Sequence, residues 1–186
     1  MITRDQAMAL LLEHIKSKYV IRHSIATEAV LRGLARRLGH DQELWGITGL
    51  LHDLDYEDVA GDPMRHGRVT VSILEGYGCP KEMLDAILAH NGDQLGIPCR
   101  APLDFALTAG ESVTGLVFAM ALVLPSRSVS DVKSKSVQKR LREPRFAANV
   151  SRERVGQYVG LGLSEEEFIT IAVESMKAEP RCLEQD

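Results

Sequence analysis

Four histidines and one aspartate are the side chains of this chain with most potential for chemistry. His23, His66 and His90 lie in three separate segments, and His52 is followed directly by Asp53. Adjacent residues on a helix diverge by about 100°, so the His-Asp pair can share an ion only with further ligands from other helices. Metal sites in helical bundles take their ligands from facing helices in this way. The spacing therefore favours a metal centre over isolated structural histidines.

The mixture of imidazole and carboxylate ligands indicates which ions would bind. It suits Mn, Fe, Co, Ni or Zn better than calcium, which takes only oxygen ligands, or a closed structural zinc site, which favours thiolates. Water on such an ion becomes a nucleophile near neutral pH, so the expected chemistry is hydrolysis. For the His-Asp pair alone, a helix end that runs into a turn is an equally good interpretation, and the remaining histidines favour the metal.

The segments that carry these residues have the pattern of helices. Apolar residues recur every three or four positions, and no long stretch alternates with the period of a half-buried strand. We therefore predict an all-α fold, with loops at 59–63 and 91–100. Thr3 and Asp41 are expected as N-terminal caps, and Gly39 as a left-handed stop. The predicted helices cover about residues 4–18, 21–38, 42–53, 64–77, 80–90, 102–124, 130–141 and 164–176.

The length of 186 residues predicts one domain with a real core, since 45% of the residues are hydrophobic and 26% are charged. We place the domain at residues 1–178, with a metal-binding core at about 20–125, C-terminal helices at about 126–178 and a frayed tail at 179–186. The apolar helix at 102–124 could be either the central core helix or the seam of a homodimer, because periodicity does not separate the two.

Charge and composition exclude some partners. The net charge of −4 argues against broad attraction to nucleic acid or to anionic lipid. The longest apolar run, 116–124, is far shorter than the roughly 20 residues of a membrane span, and the N-terminal segment lacks the pattern of a signal peptide. Three widely separated cysteines, without a CxxC pair, predict a reducing compartment. We therefore expect a cytoplasmic protein without a membrane partner.

Two stretches, IRHSIATEAVLRGLA and WGITGLLHDLDYE, resemble the HD superfamily of metal-dependent phosphohydrolases. That family has a first His, an adjacent His-Asp pair and a later acidic residue, and the first three map to His23, His52 and Asp53. The segments MRHG, AHN and TAGESVTGLV are similar to an uncharacterised bacterial and archaeal subgroup of these proteins. The resemblance implies a single HD-domain helical bundle with one or two divalent transition-metal ions and a phosphorylated substrate.

The resemblance also assigns the last ligand, with one departure. The subgroup usually has Asp where this chain has Glu111, so the carboxylate is one methylene further from its helix. Glu can still bind such a metal after a small adjustment of the geometry. Asp104, earlier on the same predicted helix, is the reserve candidate, but we expect it to face solvent near the helix start.

His66 and His90 decide between one ion and two. HD proteins with two additional histidines between the pair and the final acid often bind two metals, which would clamp both oxygens of a phosphate displacement. With one ion, these histidines would instead contact phosphate or donate the leaving-group proton. In either case Asp53, His66 and His90 are the candidate catalytic residues. Asp55 and Glu57 receive no role.

A local excess of cations between 127 and 145 offers two interpretations. It could receive substrate phosphate, with Arg127, Lys133 and Arg140 as the candidates, or it could be the solvated face of an amphipathic helix. Both remain open at this stage.

Three functional hypotheses follow. The first is a metal-dependent phosphohydrolase that cleaves a small phosphate ester, with a nucleotide as a candidate substrate. The alternative is a non-catalytic HD module that binds a nucleotide or a metal, which the Glu at position 111 suggests. A di-iron oxygenase is a minor alternative, because some HD proteins use two irons to activate oxygen.

Overall fold

The computed structural model describes residues 2–182, and these form helices and turns without a strand. This confirms the predicted all-α, single-domain helical bundle. Three short 3-10 helices accompany the α-helices, at Val129–Asp131, Gly156–Leu161 and Pro180–Cys182. The α-helices are α1 (Arg4–His14), α2 (Lys18–Leu38), α3 (Gln42–Leu51), α4 (Arg68–Glu75), α5 (Lys81–His90), α6 (Gly92–Leu95), α7 (Pro102–Leu122), α8 (Ser134–Leu141), α9 (Arg152–Val155) and α10 (Glu165–Ala178).

Local sequence signals set most of the helix ends. Thr3 and Ser164 each form a capping box at the start of α1 and α10, and the Asp41 carboxylate accepts the first N–H groups of α3. Gly39 ends α2 in the left-handed conformation, with φ of 76°. The start of α2 at Lys18 depends in part on a distant residue, because Glu57 accepts the backbone N–H groups of Lys16 and Ser17.

Three segments differ from the sequence prediction. The helix expected at 64–77 begins only at Arg68, because residues 52–67 form consecutive turns. The loop expected at 91–100 contains the short helix α6, and the short helix α9 was not predicted. A helix of one turn is too short to produce an apolar periodicity, so sequence patterning does not detect it.

The prediction that Asp104 faces solvent was wrong. Its side chain is 4% exposed, and Oδ2 accepts the backbone N–H groups of Arg100 and Ala101 at 2.9 Å each. The carboxylate turns back towards the start of α7 and satisfies amides that the helix itself leaves free. This use of Asp104 leaves Glu111 as the acidic residue of α7 that faces the histidines.

The core is built around α2 and α7. Helix α2 packs against α3, α7 and α10, and α7 also packs against α5. By length and composition alone α7 could cross a membrane, but 67% of its apolar window is buried inside the molecule. It therefore serves as the central core helix, whereas the homodimer stays a prediction.

The cysteines and the C-terminal segment bear on two other expectations. Cys79, Cys99 and Cys182 are all free thiols, and burial raises the pKa of Cys182 to about 12. The cytoplasmic location that we inferred from them stays a prediction. Of the tail predicted at 179–186, Pro180–Cys182 forms a 3-10 turn with Cys182 packed on the core, and 183–186 lie outside the described residues.

The irregular segment 142–151 is organised by one guanidinium group. Arg152 donates to the carbonyl oxygens of Ala147 and Val150 at 2.7 and 2.8 Å and to that of Phe146. Its longer contacts reach Arg140, Leu141 and Glu143. Arg140 and Leu141 are the last residues of α8 and the other four lie outside helix, so the arginine adds donors where no further helical turn supplies them.

We predict that Arg152→Ala lowers the free energy of unfolding by about 1–3 kcal/mol, because several carbonyl groups lose their donor. Urea unfolding would measure this, and hydrogen exchange should show faster exchange at 142–151. Arg142→Ala is the matched control, because its exposed contact with Glu165 is a surface ion pair worth less than about 1 kcal/mol. Equal losses in the two variants would contradict the role of Arg152.

Candidate metal centre

Five separate parts of the fold bring the predicted ligands together. His23 lies on α2, the His52-Asp53 pair directly follows α3, His66 precedes α4, and His90 ends α5. The fifth part is α7, which supplies Glu111. The six side chains surround one cleft of about 350 Å³, apart from His52, which lies buried behind Asp53. Sequence order alone placed these residues in a common site, and the fold does so in three dimensions.

Asp53 is the centre of this cluster. Its Oδ2 lies 3.3 Å from His52 Nε2 and 3.8 Å from His23 Nε2. Its Oδ1 lies 3.4 Å from His66 Nε2 and 3.5 Å from His90 Nε2. Each oxygen of one carboxylate therefore faces its own pair of imidazole nitrogens.

The other nitrogen of each imidazole, Nδ1, has a hydrogen-bond partner of its own. Nδ1 of His52 donates to the Gly49 carbonyl at 2.8 Å, and Nδ1 of His90 donates to the Ile87 carbonyl. Nδ1 of His66 donates to Asp55 Oδ1 at 2.8 Å. Nδ1 of His23 lies 2.9 Å from Thr114 Oγ1, which donates its own proton to the Glu111 carbonyl. All four rings are thereby fixed with Nδ1 protonated and the Nε2 lone pair directed inward.

The arrangement fits a divalent transition metal. His52 Nε2 is buried and has no hydrogen-bond partner in the described part of the chain, an expensive state for a polar atom unless something else binds it. His66 Nε2 and His90 Nε2 lie 3.0 Å apart, so their two lone pairs need a proton or a cation between them. Among the described residues, two groups have ligand atoms close enough to share an ion: His23 with His52 and Glu111, and His52 with Asp53 and His90.

The pKa shifts at the centre agree with this arrangement. Burial lowers the pKa of His52 to about 4 and also lowers the pKa of His23, so both rings are neutral ligands at pH 7. Burial by itself would raise the pKa of Asp53, but the imidazoles around it, His52 first among them, hold it well below its usual range. The carboxylate is therefore ionised over the whole useful pH range.

The family model described as HD domain matches residues 20–121, just over half of the chain. This chain belongs to the HD domain family. The match begins at the start of α2 and ends at the end of α7, so it contains all six clustered residues.

Several proteins named Ribonuclease Y are similar to part of this chain. The one from Nitratidesulfovibrio vulgaris strain DP4 is 33% identical over 103 residues, which are 53% of this chain and 18% of that protein. The one from Acholeplasma laidlawii is 36% identical over 78 residues, which are 40% of this chain and 14% of that protein. The one from Thermus thermophilus is 33% identical over 84 residues, which are 42% of this chain and 14% of that protein. The chain thus spans less than a fifth of the length of these relatives. No solved structure matches.

Glu111 is the residue that replaces the usual Asp, and its two carboxylate oxygens have different neighbours. Oε2 lies 4.0 Å from His23 Nε2, on the side of the metal cluster. Oε1 accepts from Arg154 Nη2 and from Ser112 Oγ, each at 2.6 Å. The longer side chain therefore reaches the cluster while an arginine from another helix binds its second oxygen.

The three cations proposed for phosphate binding lie elsewhere. Arg127 and Lys133 are exposed, and Arg140 is half-buried against Glu143 and the Phe146 ring. None of them lines the cleft, which instead has Arg154 as the one Lys or Arg among its described lining residues. Arg154 was missed because α9 is a single turn and lies outside every motif of the resemblance.

Asp55, which received no role in the sequence analysis, supports the centre through His66. It is fully buried, and its Oδ2 accepts the N–H groups of Gly67 and Thr70 at 2.8 and 2.9 Å, at the start of α4. Burial opposes the charge, but the bonds from His66 and from these amides lower the pKa of Asp55. Despite its own burial, the pKa of His66 is raised because Asp55 and Asp53 stabilise its charged form.

We predict that Asp55→Asn weakens binding of metal on the His66 side by about 10- to 100-fold, the usual cost of losing an outer-shell partner. An amide cannot accept from His66 and from two backbone N–H groups as a carboxylate does. Elemental analysis of the variant should show loss of about one ion per chain. Glu57→Gln is the control, since that carboxylate also holds backbone N–H groups but contacts no histidine. Unchanged metal content in Asp55→Asn would contradict the prediction.

Proposed function

We propose that this protein is a metal-dependent phosphohydrolase that cleaves a small phosphate ester, with a nucleotide as the candidate substrate. One observation carries the proposal: four imidazole Nε2 atoms, each fixed by a bond at Nδ1, face the two oxygens of Asp53. Membership of the HD domain family supports the same activity.

The residues divide naturally between two ions. His23, His52 and Glu111, whose ligand atoms lie close enough to share an ion, would hold one together with Asp53 Oδ2. His66 and His90, whose Nε2 atoms lie 3.4 and 3.5 Å from Asp53 Oδ1, would hold the second together with that oxygen. Mn, Fe, Co, Ni and Zn all accept this mixture of nitrogen and oxygen ligands. Such ions would polarise the phosphoryl oxygens and lower the pKa of a bound water.

The chain itself contributes orientation. Asp53 would hold both ions, and the partners of the four Nδ1 atoms keep each ring in one tautomer and one direction. Burial of His52, Asp53 and His90 keeps bulk water from competing for the ligand atoms, since their exposed fractions are 0%, 7% and 3%. If the centre held one ion only, His66 and His90 would instead contact the reacting phosphate or donate the leaving-group proton.

The size of the cleft favours a small substrate. A volume of about 350 Å³ lies at the lower end of the range for small-molecule sites. The name of the relatives says that they act on RNA, whose phosphodiester is a bond of the same kind. The net charge of −4 does not favour a long polyanion, so we propose a small ester for this chain.

The experiment combines metal analysis with phosphate release. The protein is purified without chelator, analysed for metal and then loaded separately with Mn, Fe(II), Co, Ni and Zn. Phosphate release is followed from nucleoside monophosphates, ribose 5-phosphate and glycerol phosphate. We expect about two ions per chain and release with at least one metal. A protein that binds no metal even after loading would overturn the proposal in favour of a ligand-binding module.

The two alternatives have different signatures. If metal binds but no ester is cleaved, and Glu111→Asp creates activity, the non-catalytic HD module is the better description. Oxygen consumption that depends on reduced iron would instead indicate the di-iron oxygenase.

A further inference from the structure

Two exposed aromatic rings stand at the mouth of the cleft, although large exposed apolar side chains are few. Tyr19, on α2, is 56% exposed, and Tyr56, in the turns after α3, is 51% exposed. Both line the same cleft as His23, Asp53 and Glu111, and they come from different elements. A single exposed tyrosine needs no explanation, but two beside a metal-ligand cluster form a site.

The two rings are also held close to the centre and to each other. The Tyr56 ring meets the His66 ring edge to face, with centroids 6.3 Å apart. Partial burial, and next the neighbouring phenol of Tyr56, raise the pKa of Tyr19, so the Tyr19 hydroxyl group remains neutral. The mouth of the cleft thus offers uncharged aromatic faces near a charged interior.

The charged interior contains one arginine, Arg154. Its Nη2 donates to Glu111 Oε1 at 2.6 Å and to the His90 carbonyl at 2.5 Å. Its Nε is buried and has no acceptor among the described residues. A guanidinium group is suited to the planar, bidentate recognition of phosphate, and this one is already fixed beside two of the metal ligands.

We propose that Arg154 binds the phosphoryl group of the substrate and that Tyr19 and Tyr56 stack on a planar ring in its leaving group. The inference rests on the proposed function and narrows the substrate class to phosphate esters of aromatic or heteroaromatic alcohols and nucleosides. It also replaces the distant Arg127, Lys133 and Arg140 as the phosphate-binding cations. The phosphoryl group would thus be bound beside the ions, and the planar ring would be bound at the opening of the cleft.

The test measures binding, so it does not depend on turnover. The metal-loaded protein is titrated calorimetrically with inorganic phosphate, ribose 5-phosphate, AMP and UMP. Stacking of a base on aromatic side chains should make AMP bind about 10- to 100-fold tighter than ribose 5-phosphate. Equal affinity for AMP, UMP and ribose 5-phosphate would overturn the assignment of the tyrosines.

Variants of the tyrosines separate stacking from general effects on the fold. Tyr19→Leu and Tyr56→Leu should each weaken AMP by about 5- to 50-fold and leave ribose 5-phosphate unchanged, whereas Tyr19→Phe and Tyr56→Phe should retain AMP binding. Tyr77→Leu is the matched control, since Tyr77 is 49% exposed and does not line the cleft. Loss of AMP binding in the Phe variants, or equal loss for both ligands, would count against stacking.

Arg154→Gln tests the proposed binding of phosphate by Arg154. With the metal content unchanged by elemental analysis, inorganic phosphate, ribose 5-phosphate and AMP should all weaken by about 10- to 100-fold. Arg142→Gln, a change at an exposed arginine, should leave all three unchanged. If the variant loses metal, Arg154 acts through Glu111. If the variant keeps both its metal and its phosphate affinity, Arg154 does not bind phosphate. Either result would show that the phosphate assignment is wrong.

The failure of this inference is distinguishable from failure of the proposed function. A protein that holds its ions and releases phosphate equally from ribose 5-phosphate and AMP would retain the function and lose the ring site. A protein without bound metal and without phosphate release would refute the proposed function itself.

Discussion

Asp53→Asn should abolish metal binding and reduce phosphate release by more than about 100-fold, beyond the cost of losing an outer-shell partner. The two oxygens of Asp53 face two separate pairs of imidazole nitrogens, at 3.3 and 3.8 Å on one side and at 3.4 and 3.5 Å on the other. An asparagine keeps the shape but replaces one oxygen with an amide donor and removes the charge. Neither ion then has its shared ligand.

The measurement is metal content by elemental analysis together with phosphate release from the panel of esters. Asp85→Asn is the matched control, because that aspartate makes an exposed ion pair with Lys81 and lies on the outer part of α5. We expect the control to retain wild-type metal and activity. Metal retained by Asp53→Asn at the wild-type level would show that the bridging role is wrong.

Gly49→Ala should damage both the fold and the metal centre of this protein. A Cβ at position 49 would lie 2.9 Å from the carbonyl carbon and oxygen of Thr27 and 3.0 Å from the nitrogen of Glu28. These are backbone atoms of α2, so no side-chain rotation can relieve the contact. We expect a loss of about 1–3 kcal/mol in the free energy of unfolding, the usual cost of overpacking.

The same change should also impair the metal centre. His52 Nδ1 bonds to the Gly49 carbonyl, and Thr27 Oγ1 bonds to the His23 carbonyl one turn earlier on α2. The ring centroids of His23 and His52 lie 5.2 Å apart. Separating α2 from α3 at this point would therefore move these two histidines away from each other. Metal content should fall together with stability.

Urea unfolding and elemental analysis on the same samples measure both effects. Gly156→Ala is the control, since no atom lies within 4 Å of its Cβ position and its φ of −61° suits alanine. Stability and metal content like those of the wild type in Gly49→Ala would show that the α2–α3 contact is not rigid.

The ligand set of the centre could be predicted from the sequence because residue type and order define it. His23, His52, Asp53 and Glu111 have the order of the HD family, and the four Nε2 atoms and two carboxylates form one site in the structure. The helices were predictable for a similar reason, since caps such as Thr3 and Asp41 act within three residues. Local interactions of this kind are present in the order of the residues.

The remaining features depend on contacts between residues far apart in the chain. Asp55 fixes His66, 11 residues later, and Arg154 binds the carbonyl of His90, 64 residues earlier. Neither pairing has a periodic or local signature, because each partner becomes a neighbour only when helices pack. Each oxygen of Asp53 faces a different pair of imidazole nitrogens, and this arrangement also requires four separate segments to converge. The sequence alone thus determined which side chains can bind metal, whereas the tertiary structure decided their orientation and the arginine beside them.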